Sequence, residues 1–155
     1  NCFCITWRRQ KNHGLSKSQS CIKKKISHFV PLDILALKAK KSAREDSDYK
    51  KKEESDLILK NLTTDDYVIL LDERGVSLDS LKFSKKIETA IGSSKKRCVF
   101  IIGGAFGVNE EVRTRAQLVV SLSPMVMNHL MAQAMLLEQV YRAFTIIHKI
   151  PYHNI

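Results

Sequence analysis

Between Cys98 and His129 the chain reads CVFIIGGAFGVNEEVRTRAQLVVSLSPMVMNH, and this stretch limits the possible folds more than any other. Its β-branched and aromatic run, Val99–Ile102, has the composition of a buried strand and stops at Gly103-Gly104, with Gly107 three residues on. A strand ending in glycines delivers a loop whose backbone can approach a ligand closely. Leu118–Ser121 reads as a second short strand, followed by the loop Leu122–Met127 and by Asn128 where a helix N-cap belongs. Two such loops are expected to converge on one crevice, the usual ligand position in an open α/β sheet.

The rest of the chain supplies the layers around that crevice. Cys2–Trp7 reads as a strand, and the basic stretch broken by Gly14 reads as a loop into a helix over Ser18–Phe29. Ile22, Ile26 and Phe29 share one stripe of that helix, with Lys23–Lys25 mainly off it. Pro31 ends the helix and Leu32–Leu37 is a further strand. Lys38–Lys60 is dominated by charge and offers only Leu57-Ile58-Leu59 and Leu62 for burial, the pattern of a helix with a ragged start. Tyr67–Leu71 is apolar and is expected to end at Asp72-Glu73-Arg74-Gly75. After it, Asp79 or Ser80 can cap a helix whose Phe83, Ile87, Ala90 and Ile91 share one side, and Gly92 closes it. Strands and helices alternate, so the fold class is α/β, a mostly parallel sheet flanked by helices. The last helix, from about Asn128 to His148, carries apolar residues around nearly its whole circumference, among them Leu130, Met131, Met135, Leu137, Val140, Tyr141, Phe144 and Ile147. One side can meet the sheet, which leaves another for a second subunit and predicts a homodimer.

At 155 residues the chain is expected to form a single domain, 1–155, with a core large enough to need neither metal nor disulfide. A net charge of +10 points to a polyanionic partner such as nucleic acid, against the plainer reading of solvated lysine faces. Cys2, Cys4, Cys21 and Cys98 form no C-x-x-C pair and have no histidine at ligand spacing, so no metal is expected and reduced thiols in the cytoplasm are. No apolar run reaches the ~20 residues of a bilayer span, since Met125–Ile147 carries Asn128, His129, Gln133, Glu138 and Arg142. The patch CFCITW is too short for a signal peptide, and a start at Asn1 is what a truncated or processed chain would show.

Few residues announce chemistry by themselves. Gly103-Gly104-x-x-Gly107 is not the dinucleotide fingerprint and lacks its acidic partner about 20 residues on. His129 falls in the first turn of a helix, where a neutral imidazole could act as a base or serve as a hydrogen-bonded structural group. Glu138 and Arg142, one turn apart, have the spacing of an intrahelical ion pair. Asp72 can cap a turn and pair with Arg74. Pro151-Tyr152-His153 places an aromatic ring and an imidazole where a terminus could reach a site. No nucleophile elbow, Walker loop or Ser-His-Asp arrangement is present.

Five motifs in order, LLDERG, FIIGGAFG, SLSPMVMNH, EQVYRAFTII and PYH, resemble the bacterial RlmH family, small SPOUT-class methyltransferases that modify a pseudouridine of large-subunit ribosomal RNA. The resemblance covers Tyr67–His153 and, more faintly, Ile22–Leu37. It implies a C-terminal trefoil knot, which sequence rules alone would not suggest because knots are nearly absent from proteins. It also implies a homodimer and S-adenosylmethionine held by Leu71, by Gly103 and Gly104, and by Leu122, Ser123, Pro124, Met125, Val126 and Met127. His129 and His153 are then the candidates for removing the proton of the target nitrogen, with Tyr152 beside them, while Arg142, Tyr152 and His153 would hold RNA through phosphate contact and stacking. Rival readings are a non-enzymatic RNA-binding protein on the same scaffold and a related methyltransferase with another target such as transfer RNA. Three departures stand out: Trp7-Arg8-Arg9 where the family has a Val-Gly-Lys-type turn, Gln133 where it commonly has arginine, and a terminus of His153-Asn154-Ile155 without a further basic residue.

Overall fold

An apolar run can occupy the middle of a sheet only if helices cover both faces, and the chain supplies such runs and such helices in alternation. The computed structural model describes residues 2–7, 17–37 and 46–153, with side chains from residue 20 onward. In chain order the elements are β1 (Cys2–Trp7), α1 (Lys17–Ser27), β2 (Leu32–Leu37), α2 (Ser47–Lys60), β3 (Asp66–Ser77), α3 (Ser80–Gly92), β4 (Arg97–Ile102), α4 (Glu110–Arg115), β5 (Leu118–Ser121) and α5 (His129–Ile147). They form one five-stranded sheet in the order β2-β1-β4-β3-β5. The three strands β4, β3 and β5 run parallel, whereas β1 pairs antiparallel with both β2 and β4. The antiparallel β1, lying between β2 and β4, departs from the alternation rule, which would have made β1 parallel as well.

Side chains leave the strands on alternate faces, and this divides the core in two. Ile69, Cys98, Phe100, Ile102 and Val120 pack under α1, α3 and α5, against Ile26, Phe83, Ile87, Leu136, Leu137, Val140 and Phe144. Val68, Leu70, Val99 and Ile101 face the other way, against Ile58 of α2 and Val112 of α4. The expected N-caps are in place, with Asp79 accepting from the Lys82 N–H at 2.7 Å and Asn128 from Leu130 at 2.8 Å, and Asn109 caps α4 by accepting from Val112 at 3.1 Å. A cap of this kind contributes about 1 kcal/mol.

Three findings differ from the sequence expectations. Lys23, placed off the apolar stripe of α1, is buried, while Lys24 and Lys25 are exposed. The helix α4 has too few apolar positions for periodicity to reveal it, yet it buries Val112 completely. Most consequentially, β3 does not end at Leu71 but continues to Ser77. Leu71 and Val76 both register with Val120, so the four residues between them, Asp72–Gly75, form an outward excursion in a continuous strand. The expectations for the basic loop after Trp7, the Trp7-Arg8-Arg9 turn, the start of the charged segment at Lys38 and the Asn154-Ile155 terminus lie outside the described residues.

Candidate active site

The excursion within β3 and the segments that leave the sheet after β4 and β5 together wall a cleft of about 670 Å3. Gly75 shapes the first wall. Its Cα lies so near the neighbouring strand that a Cβ would sit 2.7 Å from both the nitrogen and the carbonyl carbon of Val120. With no side chain there, β3 rejoins β5 at Val76 and throws Asp72, Glu73 and Arg74 towards the cleft. Asp72 accepts from the Arg74 N–H at 2.9 Å, from Arg74 Nε at 3.2 Å and from Arg113 Nη2 of α4 at 2.5 Å. Burial works to raise its pKa, but these donors outweigh it and hold the carboxyl below the usual range.

The second wall is the glycine loop after Ile102. Gly107 donates to the Gly104 carbonyl at 3.0 Å and adopts φ +71°, so the chain reverses tightly. At Gly104 a Cβ would lie 2.9 Å from Cδ of Glu54 and closer still to its Oε2. The backbone on the other side of Gly103 and Gly104 faces the cleft. The third wall follows β5: Ser121 Oγ donates to the Ser123 carbonyl at 2.9 Å, and Ser123 Oγ accepts from the Met125 N–H at 3.0 Å. Met125 and Val126 are left 76% and 85% exposed at its rim, too much apolar surface for a loop with no partner. The α5 N-terminus, through Asn128 and half-buried His129, closes the end.

Of the residues expected to hold a cofactor, Leu71, Gly103, Gly104, Leu122, Ser123, Met125, Val126 and Met127 all line this cleft, whereas Pro124 lies between lining residues without being one itself. His129 lines it too. The remaining candidates do not. Arg142 is 13 residues further along α5, roughly 20 Å at 1.5 Å per residue. There it donates through Nε and Nη2 to Glu138 Oε1 at 3.0 and 2.6 Å, the ion pair the spacing foretold, and its Nη1 lies 3.2 Å from His153 Nδ1. The Arg142 guanidinium covers the Tyr152 ring at 4.8 Å, and Tyr152 also meets Tyr141 edge-on. The PYH segment thus folds back as an aromatic and cationic cluster at the far end of α5. Gln133 is 2% exposed and is not among the residues that line the cleft. Sequence reasoning missed Arg113 and Glu54; neither belongs to a motif, and each reaches the site only through the tertiary fold.

The volume falls within the ~300–1,000 Å3 of small-molecule sites, and the lining mixes bare glycine backbone with apolar side chains and an ionised carboxylate. That suits a ligand with a flat apolar ring and polar groups around it. Among the described residues no group of three His, Cys, Asp or Glu could hold a metal ion, and no helix is long and apolar enough to cross a membrane.

A family model described as a predicted SPOUT methyltransferase matches residues 2–153. The chain is 76% identical over 133 residues, 86% of its own length and 85% of the relative's, to ribosomal RNA large subunit methyltransferase H of Bdellovibrio bacteriovorus. The proteins of the same description in Syntrophotalea carbinolica and Phocaeicola vulgatus are 41% identical over 130 residues and 38% over 151. The first match spans 84% of this chain and 83% of the relative, the second 97% and 96%.

Proposed function

Because the chain belongs to the SPOUT methyltransferase family, whose members carry a C-terminal knot, we propose that it methylates N3 of a pseudouridine in large-subunit ribosomal RNA from S-adenosylmethionine. The observation that carries this reading is the meeting of the β3 excursion and the loops after β4 and β5 on one cleft, one wall of which is glycine backbone. S-adenosylmethionine supplies an electrophilic methyl group on a sulfonium, so the protein's main task is to aim two reactants at each other. Such positioning is worth roughly 7–11 kcal/mol. Gly103 and Gly104 offer backbone within contact of the cofactor, Leu71 and Leu122–Met127 enclose its apolar part, and Asp72, fixed by Arg74 and Arg113, supplies a negative charge suited to a cationic ligand.

The target nitrogen is protonated at neutral pH, and a base in place adds typically ~10²–10⁴ in rate. His129, on the cleft wall, or His153 takes that proton, while Arg142 and Tyr152 hold the nucleotide by phosphate contact and stacking. Within one chain His129 and His153 sit at opposite ends of the α5 region, so one nucleotide cannot touch both. A second copy resolves this. Leu130 and Met131, 53% and 64% exposed, continue the apolar rim of Met125 and Val126, and they form the face through which a homodimer brings the PYH cluster of one protomer to the other's cleft.

Calorimetry with S-adenosylmethionine, followed by methyl transfer to large ribosomal subunits lacking the modification, tests the whole reading. Binding with transfer to one pseudouridine supports it. Absence of binding leaves only an RNA-binding protein, and transfer to another RNA corrects the target. A monomer at micromolar concentration in sedimentation would overturn the dimer.

A further inference from the structure

We propose that Glu54, with its neighbour Ser55, is a positioning residue for the methyl donor: from α2, outside the cleft, it fixes the glycine loop that forms the cofactor's wall. The inference rests on the reading of the cleft as a methyl-donor site. Glu54 is 9% exposed, and taking a carboxylate out of water costs free energy that ordinary packing does not demand. Its carboxyl group lies directly against the Gly104 Cα, on the side of the loop facing away from the cleft; all three atoms nearest to a Cβ built on Gly104 are carboxyl atoms of Glu54. The next residue, Ser55, is fully buried and accepts the Asn109 N–H at 2.9 Å through Oγ, at the cap of α4. One turn earlier on α2, the Lys50 ammonium lies 5.9 Å from the Phe106 ring at the loop's tip.

One helix therefore meets the loop at its start, tip and end, while the loop's own reversal is held by the short antiparallel bridge between Gly104 and Gly107. A ligand wall made of glycine backbone has no side chain to set its position. Here the position is set from behind, by a carboxylate that fits only if residue 104 has no Cβ. Gly104 is thus required twice, for the ligand on one side and for Glu54 on the other, and the two requirements can be separated.

The test is a double-mutant cycle read by calorimetry with S-adenosylmethionine, together with kcat at saturating cofactor and amide exchange of residues 104–109 in the free protein. Glu54→Ala is expected to weaken cofactor binding about ten-fold, by loss of preorganisation, to speed exchange of the loop amides, and to leave kcat at saturation within a factor of about two. Glu54→Gln, which keeps the shape, should stay within about three-fold of wild type. Gly104→Ala should cost about 100-fold, the scale of a 1 Å misplacement. Adding Glu54→Ala should then restore about ten-fold of that loss, because the obstructing carboxyl is gone. If wild type binds the cofactor and Glu54→Ala binds it equally well, or the double variant is no better than Gly104→Ala, the positioning role is overturned. Failure of wild type to bind would instead remove the functional reading on which it stands.

Discussion

The two ends of the parallel strands β4, β3 and β5 are built on opposite principles. At the amino ends arginine and glutamine side chains tie the strands and the preceding turns together. Asp66, 1% exposed, receives Arg97 through Nε at 2.6 Å and Nη2 at 2.5 Å and the Thr63 N–H at 2.7 Å, while Arg97 also bonds the Asn61 carbonyl at 2.9 Å. Arg115 reaches the Thr63 and Asp66 carbonyls at 2.5 and 3.1 Å, and the Gln117 side chain accepts the Val68 N–H at 2.6 Å just before β5 begins. At the carboxyl ends the segments after Leu71, Ile102 and Ser121 bond mainly within themselves and leave a cleft between them. The amino ends carry side-chain pairing, whereas the carboxyl ends leave glycine backbone and apolar side chains around an open cleft. The site can be open because the opposite end is shut.

The sharpest way to break this contrast is to unlock the closed end. Asp66→Ala leaves Arg97, whose side chain is 17% exposed, without its carboxylate, and losing one partner of a buried pair costs about 3–5 kcal/mol. At 2–4 °C per kcal/mol for a chain of this size, the melting temperature should fall by about 10 °C, while the cofactor dissociation constant stays within about two-fold. Thermal unfolding and calorimetry on the same variant check both. A large loss of affinity would mean that the two ends are coupled and the division is false. Gly75→Ala comes next, because its Cβ would meet the Val120 backbone and neither strand can yield cheaply. A cost of about 1–3 kcal/mol is expected, and here affinity should fall with stability, since the excursion carrying Asp72 moves with it. A Gly75→Ala variant that is destabilised yet binds normally would sever the bulge from the site.

The closed and open ends also differ in how far the sequence disclosed them. β4, β5 and α5 were legible because Val99–Ile102 and Leu118–Val120 are apolar without interruption, and Asn128 marks the start of α5. The glycine loop and Leu122–Met127 were legible as strand ends, which sufficed to expect one crevice. The length of β3 was hidden, since DERG carries the composition of a turn and only the pairing of Val76 with Val120 makes it an excursion within a strand. The antiparallel placement of β1 was hidden too, because an apolar hexapeptide has no direction. Asp66, Arg97 and Gln117 lie far apart in sequence, and no local pattern joins them. The far-end cluster shows the same limit: Glu138 and Arg142 were an obvious helical pair, but that Tyr152 and His153 close over them follows from the fold of the tail alone.

Smaller effects sharpen the contrast. Asp72→Asn keeps the shape of the open-end carboxyl but halves its bonding to Arg113 and Arg74, so stability should fall by about 1.5 kcal/mol. Cofactor affinity should fall several-fold in calorimetry, the reverse of the pattern at Asp66. Unchanged affinity would show that Asp72 serves only to hold Arg113.

Acid titration compares the two ends directly. Burial works to raise the pKa of both Asp66 and Asp72, and in both the arginine and backbone donors prevail and hold it below the usual value. A carboxylate depressed in the folded state contributes stability that is complete above its unfolded pKa, near 3.9, and is lost as pH falls through the lower folded value. Wild type should therefore hold its stability from neutrality down to about pH 5 and lose it progressively below about pH 4. Asp66→Asn should flatten that acid limb more than Asp72→Asn, because the Asp66 side chain is 2% exposed among its donors and that of Asp72, at the cleft wall, is 10% exposed. Denaturant unfolding between pH 2.5 and 7 measures both slopes. Equal flattening by the two variants would place as much stability at the open end as at the closed one, and the division of labour between the strand ends would fail.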